Sequence, residues 1–185
     1  MPELIAPTVR LHSAWLEAHE DWGPGLHEDG FGLLPSDEVG SPDGFAAWVA
    51  RLVAASEPAE RAEQTEPAKP TDPTADGRVT CTPRWIVEGD RVLGGIALRH
   101  GLGESVLRFG HIGYGIRPSA RRRGLATWAL GRMLDEARAL RMERVLITCE
   151  AGNSASASTI ARHGGVIEEI RATGFGALRR YWIEL

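Results

Sequence analysis

The chain has 185 residues, of which 43% are hydrophobic and 25% are charged, a composition typical of one globular domain. Its net charge of −4 argues against nucleic acid or an anionic membrane as partner. No run approaches the roughly 18 apolar residues of a membrane span, and the acidic start Met1–Ile5 does not resemble a signal peptide. The two separated cysteines, Cys81 and Cys149, favour a reduced, cytoplasmic protein. We expect a single domain over residues 1–185.

The N-terminal part predicts one strand, two helices and a long loop. Leu4–Arg10 has the pattern of a strand, and Leu11–Trp22 repeats its apolar residues at helical spacing. Gly23–Gly44 is rich in glycine, proline and acids, which predicts a loop. Phe45–Ala55 presents one apolar stripe and is predicted as the second helix, with Pro42 near its start.

A polar segment and a hairpin follow. Residues 57–78 contain almost no large apolar side chain, which predicts a mobile surface excursion. Arg84–Val87 and Arg91–His100 flank the turn Glu88–Asp90, as expected of a β-hairpin. Gly101–Phe109 is predicted to be a loop.

The C-terminal half alternates strands and helices. The predicted elements are a strand at His111–Ile116, a helix ending near Met142, a buried strand at Val145–Cys149, a helix from Asn153 or Ser154 to Gly164-Gly165, and two last strands at Val166–Ile170 and Ala177–Leu185. The final strand, if exposed, can pair across a homodimer.

The run Arg117–Ala126, with the sequence RPSARRRGLA, is the most informative stretch. It joins a strand to a long amphipathic helix through a turn rich in arginine and glycine. Helix N-termini carry unpaired N–H groups and partial positive charge, so this turn suits a phosphate or pyrophosphate.

A second motif downstream helps to identify the ligand of this turn. Asn153-Ser154-Ala155-Ser156 is followed by Gly164-Gly165. Together the two segments resemble the acyl-CoA site of GCN5-related N-acetyltransferases, the GNAT family. The segments Leu98–His100 and Arg180–Ile183 are similar to a bacterial subgroup of that family. The resemblance implies an α/β fold with a mixed, mostly antiparallel sheet, flanked by helices and splayed to admit acetyl-CoA as co-substrate.

The resemblance also implies which residues bind acetyl-CoA. Tyr114 and Ile116 lie on the strand that would pair with the pantetheine arm, while Asn153 and Ser156 lie at the second motif. Backbone N–H groups of the turn would bind the pyrophosphate, and the residues concerned are Arg121, Arg122, Arg123, Gly124, Leu125, Ala126 and Thr127. The arginine side chains are equally compatible with solvated turn charges, and Asn153 is compatible with a helix N-cap.

The catalytic residues are less clearly marked. In the family, an amine attacks the thioester directly, which needs a proton acceptor for the amine and an acid for the thiolate. Glu150 and His100 are the main candidates for the proton acceptor, and His111 is a third, less favoured candidate. The family's usual acidic tyrosine is replaced by Ile160, so Ser156, Tyr114 or solvent would have to supply the proton. Cys149 fits a packed core thiol better than a nucleophile.

The acceptor is expected to be a primary amine of a small molecule or peptide, and no metal is expected. His27-Glu28-Asp29 can bind a cationic amine or be an ordinary solvated loop cluster. Because Ile160 removes the usual acid, a non-catalytic CoA-binding sensor or interaction module remains the alternative. The P-loop sequence is absent, and Gly113-Tyr114-Gly115 lacks the third glycine of a dinucleotide site.

Overall fold

In the part of the chain that the computed structural model describes (residues 1–23, 30–56, 80–101, 103–173 and 176–185), seven strands form two antiparallel sheets. The strands are β1 Glu3–Ile5, β2 Cys81–Glu88, β3 Arg91–Arg99, β4 Ile112–Ile116, β5 Arg144–Glu150, β6 Val166–Thr173 and β7 Gly176–Glu184. The helices are α1 His12–Trp22, α2 Pro42–Ala55, α3 Glu104–Phe109, α4 Leu125–Ala139 and α5 Ser154–Arg162. The strand orders are β1-β2-β3-β4 and β5-β7-β6. This confirms the predicted α/β class with a mostly antiparallel sheet flanked by helices.

The helices cover opposite faces of the first sheet. Successive strand residues point to opposite faces: Trp85 packs with α1 and α2, whereas the next residue, Ile86, packs with α4 and α5. The core on the α1–α2 face is largely aromatic and contains Trp15, Phe31, Phe45, Trp48 and Trp85. The other core is aliphatic, and it extends onto β5 and β7 of the second sheet. Burial on both faces explains why β3 is almost continuously apolar.

His111 joins the two sheets. The structure records an isolated bridge between Gly110 and Ile147 at this point. The His111 N–H donates to the Leu146 carbonyl over 2.6 Å, and the Leu146 N–H donates to His111 Nδ1 over 2.8 Å. The ring is buried and also hydrogen-bonds the Gly101 backbone. Burial lowers the pKa of His111, and because Nδ1 accepts a hydrogen bond, the ring is neutral here.

Replacement of His111 tests whether its imidazole stabilises the junction between the two sheets. His111→Leu removes the acceptor and leaves the Leu146 N–H buried without a partner, so we expect the free energy of unfolding to fall by about 2 kcal/mol. His111→Asn keeps an acceptor near Nδ1 and should lose less. Urea denaturation of both variants gives the comparison, and equal losses would contradict the role of this hydrogen bond.

Two predictions of the elements were wrong, and the condition for pairing of the final strand across a homodimer is not met. The first strand stops at Ile5, because a 3-10 turn at Val9–Leu11 follows, with Thr8 accepting from the Arg10 N–H. The predicted loop at 101–109 contains α3, a six-residue helix too short for a clear periodic pattern. The final strand is not exposed: β7 lies between β5 and β6, so both of its edges are paired. The predicted excursion at 57–78 lies outside the described residues.

Candidate functional site

The turn after β4 forms a cradle, Arg121–Thr127, that leads into the unpaired backbone donors at the start of α4; the Arg121 N–H itself donates to the Pro118 carbonyl over 3.2 Å. Gly124 is the N-cap of α4, with φ +76° and no side-chain cap, and the first turn of α4 contains no acid. Within the described chain, the N–H groups of Leu125, Ala126 and Thr127 make no hydrogen bond, since the first helical bond runs from Trp128 N to Gly124 O. Nothing lies within 4 Å of where a Gly124 Cβ would stand. The cradle is therefore open, and it fits the pyrophosphate of CoA electrostatically.

Two of the arginine side chains of the cradle bind other groups of the protein. Arg121 Nε donates to the Ile116 carbonyl over 3.0 Å. Arg123 binds Glu88 at 2.7 Å, and this bond lowers the pKa of the Glu88 carboxyl. Arg122 is exposed and has φ +66°. These contacts fix the turn, so the backbone donors and the general positive charge carry the case for an anion.

A buried ion-pair network holds the cradle against α1. The buried Arg117 guanidinium donates to Asp21 over 2.8 Å and to Glu17 over 3.0 Å. Ser119 donates its N–H and hydroxyl to the same Asp21 carboxylate. These bonds, that from Arg117 first, lower the pKa of Asp21 to about 2. No local sequence pattern indicates this network, because Asp21 and Arg117 are 96 residues apart.

A break in the hydrogen-bonded ladder between β4 and β5, here called the gap, lies beside the cradle. The first sheet ends on β4 and the second on β5, and no ladder joins these two edges among the described residues. Tyr114 Oη on β4 lies 2.8 Å from Ser156 Oγ at the start of α5. Asn153 caps α5, because its Oδ1 accepts from the Ser156 N–H over 3.0 Å. The structure thus brings together Tyr114, Ser156 and Asn153, with Ile116 at the end of the same strand.

The position at which the family usually has a tyrosine as its acid is occupied here by a core residue. Ile160 is fully buried in the aliphatic core. A side chain at Gly165 would collide with Ile160, which explains the glycine there. Cys149 is also buried, which raises the pKa of its thiol and supports its interpretation as a core residue.

The two candidate proton acceptors lie apart. His100 hydrogen-bonds Thr82 over 2.8 Å and lies near Glu136 of α4, and burial lowers the pKa of His100. Glu150 is exposed at the end of β5, opposite Leu178 on β7. Within the described residues, no hydrogen bond or ion pair joins His100 to Glu150. His27–Asp29 lies outside the described residues.

Two cavities border these elements. One of about 510 Å³ lies at the junction of α4 and α5, where His163 Nε2 and the Thr127 carbonyl are 2.8 Å apart. The other, of about 360 Å³, lies between α3 and the second sheet. In the described ranges, no three histidine, cysteine or acidic residues are grouped so as to hold a metal ion. No described helix is long and apolar enough to cross a membrane.

The fold is shared with solved acetyltransferases. The first is an acetyl transferase from Salmonella typhimurium that modifies the N-terminal serine of 50S ribosomal subunit protein L7/L12; it matches with a TM-score of 0.65 and 15% identity over 100% of this chain and 95% of that chain. Mycobacterium smegmatis RimJ, solved in complex with CoA-disulfide, matches with a TM-score of 0.69 and 18% identity over 99% of this chain and 81% of that chain. The microcin C7 self-immunity acetyltransferase MccE, solved in complex with acetyl-CoA and AMP, matches with a TM-score of 0.67 and 12% identity over 100% of this chain and 92% of that chain.

No curated protein matches the sequence significantly. A family model described as an acetyltransferase (GNAT) domain matches residues 39–166. This range contains the cradle and the Asn153–Gly165 segment, and the match confirms the predicted acyltransferase class with acetyl-CoA as co-substrate. The chain belongs to the GNAT family of acetyltransferases.

Proposed function

We propose that this protein transfers the acetyl group of acetyl-CoA to a primary amine of a small molecule or peptide, by direct attack in a ternary complex. The observation that carries the proposal is the Tyr114–Ser156 hydroxyl pair, 2.8 Å apart beside an open strand edge and next to the cradle. An acyltransferase needs a proton donor where the thiolate leaves, and this pair is suited to that task.

The binding residues follow from the same geometry. The cradle Arg121–Thr127 would hold the pyrophosphate through backbone N–H groups. The edge of β4 that faces the second sheet, at Tyr114 and Ile116, would hydrogen-bond the amides of pantetheine as an added strand does. Asn153 acts by fixing the start of α5, which positions Ser156.

The reaction requires two proton movements. The acceptor amine loses a proton and bonds to the thioester carbonyl carbon, and the carbon–sulfur bond then breaks. Glu150 is our first candidate for the proton acceptor, since it is an exposed carboxylate at the end of the strand beside the gap. His100 is the second candidate for the proton acceptor, and it lies near Glu136 of α4. The Tyr114–Ser156 pair returns a proton to the thiolate.

The competing proposal is a CoA-binding module without turnover. The observation that favours it is Ile160, a buried aliphatic side chain where the family has its acid. Thiol release from acetyl-CoA across a panel of amines separates the two: amine-dependent release supports transfer, whereas tight binding with no release supports the module. Glu150→Gln should then lower kcat far more than it weakens acetyl-CoA binding, and His100→Gln is the parallel test of the second candidate.

A glycine substitution tests the cradle. Val at position 124 would have to adopt φ +76°, which costs about 1–2 kcal/mol for a residue with a Cβ. If the turn relaxes to avoid this strain, we expect acetyl-CoA to bind roughly tenfold more weakly. Calorimetric titration of Gly124→Val with acetyl-CoA measures the change.

The control is Gly101→Val. Gly101 has φ +80° and an equally open Cβ position, and it follows the end of β3 that pairs with the start of β4, whereas the cradle follows the end of β4. Unchanged acetyl-CoA affinity in Gly124→Val, or equal weakening in both variants, would overturn the assignment of the cradle.

We also propose a cytoplasmic location. Cys81 and Cys149 are both free thiols, which supports a reducing compartment.

A further inference from the structure

The cavity between α3 and the second sheet, of about 360 Å³, has an unusual lining. Of the described residues that line it, three are arginines and none is acidic, and two are threonines. The arginines are Arg108, Arg171 and Arg180, and the threonines are Thr148 and Thr173. Guanidinium and hydroxyl groups together are donors suited to a carboxylate or a phosphate.

Arg180 is held rigidly in this cavity. Its side chain is only 6% exposed, and its Nε donates to Glu168 over 2.9 Å and lies 3.2 Å from Glu169. Its Nη1 donates to the Leu107 carbonyl of α3 over 2.5 Å. Among the described residues, Nη2 takes part in none of these bonds, so the preorganised guanidinium can offer this nitrogen to a ligand.

Acids from β6 only partly balance the positive charge. Arg171 pairs with Glu169 at 2.6 Å, and its side chain remains 53% exposed. Arg108 lies over the Phe109 ring, 5.0 Å from its centroid. Leu107 and Phe109 are themselves 45% and 50% exposed, so an apolar rim borders the charged floor. Such a mixture of apolar surface and oriented charges is typical of a ligand site.

The cavity lies on the same sheet face as Glu150. On β5, Cys149 packs into the aliphatic core with α4 and α5, so Thr148 and Glu150 point to the opposite face. Across the ladder, Thr148 is opposite Arg180 and Glu150 is opposite Leu178, which also lines the cavity. Thr148 also donates to the Phe109 carbonyl, close to the joint between the sheets. A molecule in the cavity would therefore extend toward Glu150 and the gap.

We propose that this cavity binds an anionic group of the acceptor, a carboxylate or phosphate carried about 7 Å from the reacting amine, which is two residues along a strand. The inference rests on the proposed acetyl transfer, because Glu150 marks where the amine would react. It names the acceptor class: amines that carry a negative charge at this spacing, such as a peptide with an acidic second residue.

Paired acceptors test the proposal. One pair is glycyl-aspartyl-glycinamide against glycyl-asparaginyl-glycinamide, and the other is aminobutyl phosphate against aminobutanol. We expect kcat/KM to favour the anionic member of at least one pair by about tenfold, because charge-assisted hydrogen bonds are the stronger ones. The pair that shows the preference identifies whether the anion is a carboxylate or a phosphate.

Variants locate the preference in the cavity. Arg171→Gln and Arg108→Gln should each reduce the preference toward equality while leaving activity on the neutral acceptors unchanged. Arg162→Gln, an exposed arginine in the last turn of α5, is the matched control and should keep it. Equal rates for charged and neutral acceptors, or a preference that survives both cavity variants, would overturn the inference.

A binding measurement separates this inference from the proposed reaction. If no acceptor gives turnover, NMR titration of the aspartyl and asparaginyl peptides still tests the cavity through the amides of Thr148 and Arg180. Selective shifts with the aspartyl peptide would support the anion site while the transfer proposal fails. Turnover without any shift at these amides would overturn the anion site and leave transfer intact.

Discussion

Tyr114→Phe is expected to lower kcat about 100-fold, the typical contribution of a positioned proton donor. The hydroxyl of Tyr114 lies 2.8 Å from Ser156 Oγ, so either group can pass a proton to the other, and removal of one interrupts the pair. The ring stays, so packing against the aliphatic core is retained. KM for acetyl-CoA should therefore change little, and steady-state kinetics with an amine acceptor give both values.

Two further variants make this result specific. Ser156→Ala should show a loss of similar size, and the double variant should lose little more, because residues that act as a unit are not additive. Tyr181→Phe, the chain's other tyrosine, lies on β7 in the same core and should retain full activity. Full activity in Tyr114→Phe would remove the pair from the mechanism and leave solvent as the acid.

Arg117→Met is expected to reduce the free energy of unfolding by about 2 kcal/mol, less than for a fully buried ion pair, because the carboxylates of Asp21 and Glu17 are partly exposed. The guanidinium is 5% exposed and the Asp21 carboxylate 22%, so the variant leaves a poorly solvated carboxylate without its cation. The same change frees the turn at Ser119 from α1, and we expect weaker acetyl-CoA binding as well. Thermal and urea denaturation measure the first effect, and calorimetry measures the second.

The pH dependence gives an independent signature of this pair. The folded state lowers the pKa of Asp21 from 3.8 to about 2, so the stabilisation is present above pH 3.8 and is lost as pH falls toward 2. The difference between wild type and Arg117→Met should shrink over that window. Arg138→Met is the control: its pair with Asp135 is 49% and 62% exposed and should contribute less than about 1 kcal/mol. A constant difference across the window would contradict the assignment.

The elements that position the cradle could be predicted from local sequence. The strand at 112–116, the glycine at 124, the helix after it and the Asn153 cap each have a residue-level cause that acts within a few positions. α3 could not be predicted, because six residues show too little periodicity. The position of β7 between β5 and β6 depends on long-range pairing, which no single strand encodes.

Contacts between residues that are distant in the chain could not be predicted from the sequence for the same reason. Tyr114 and Ser156 were named separately as possible acids, but only the fold brings them within 2.8 Å. The sequence pattern places Arg117 in the phosphate turn, whereas its side chain binds Asp21 of α1. Thr148 and Arg171 belong to no motif, and the segment that begins at Arg180 indicates no anion site, since the three residues form one surface only after the strands pair. Local patterns predicted where acetyl-CoA would bind, and the three-dimensional arrangement was needed to suggest an acceptor.

The gap between β4 and β5 also bears on aggregation. An exposed strand edge is ordinarily a template for another chain. Here the edges of β4 and β5 are tied to each other at the Gly110–Ile147 bridge and by the His111–Leu146 hydrogen bonds. The outer edges of the described sheets are blunted differently: β1 has three residues, and β6 carries Glu168, Glu169 and Arg171 with a register irregularity. If pantetheine pairs with the inner edges as we propose, it would occupy them in place of another protein strand.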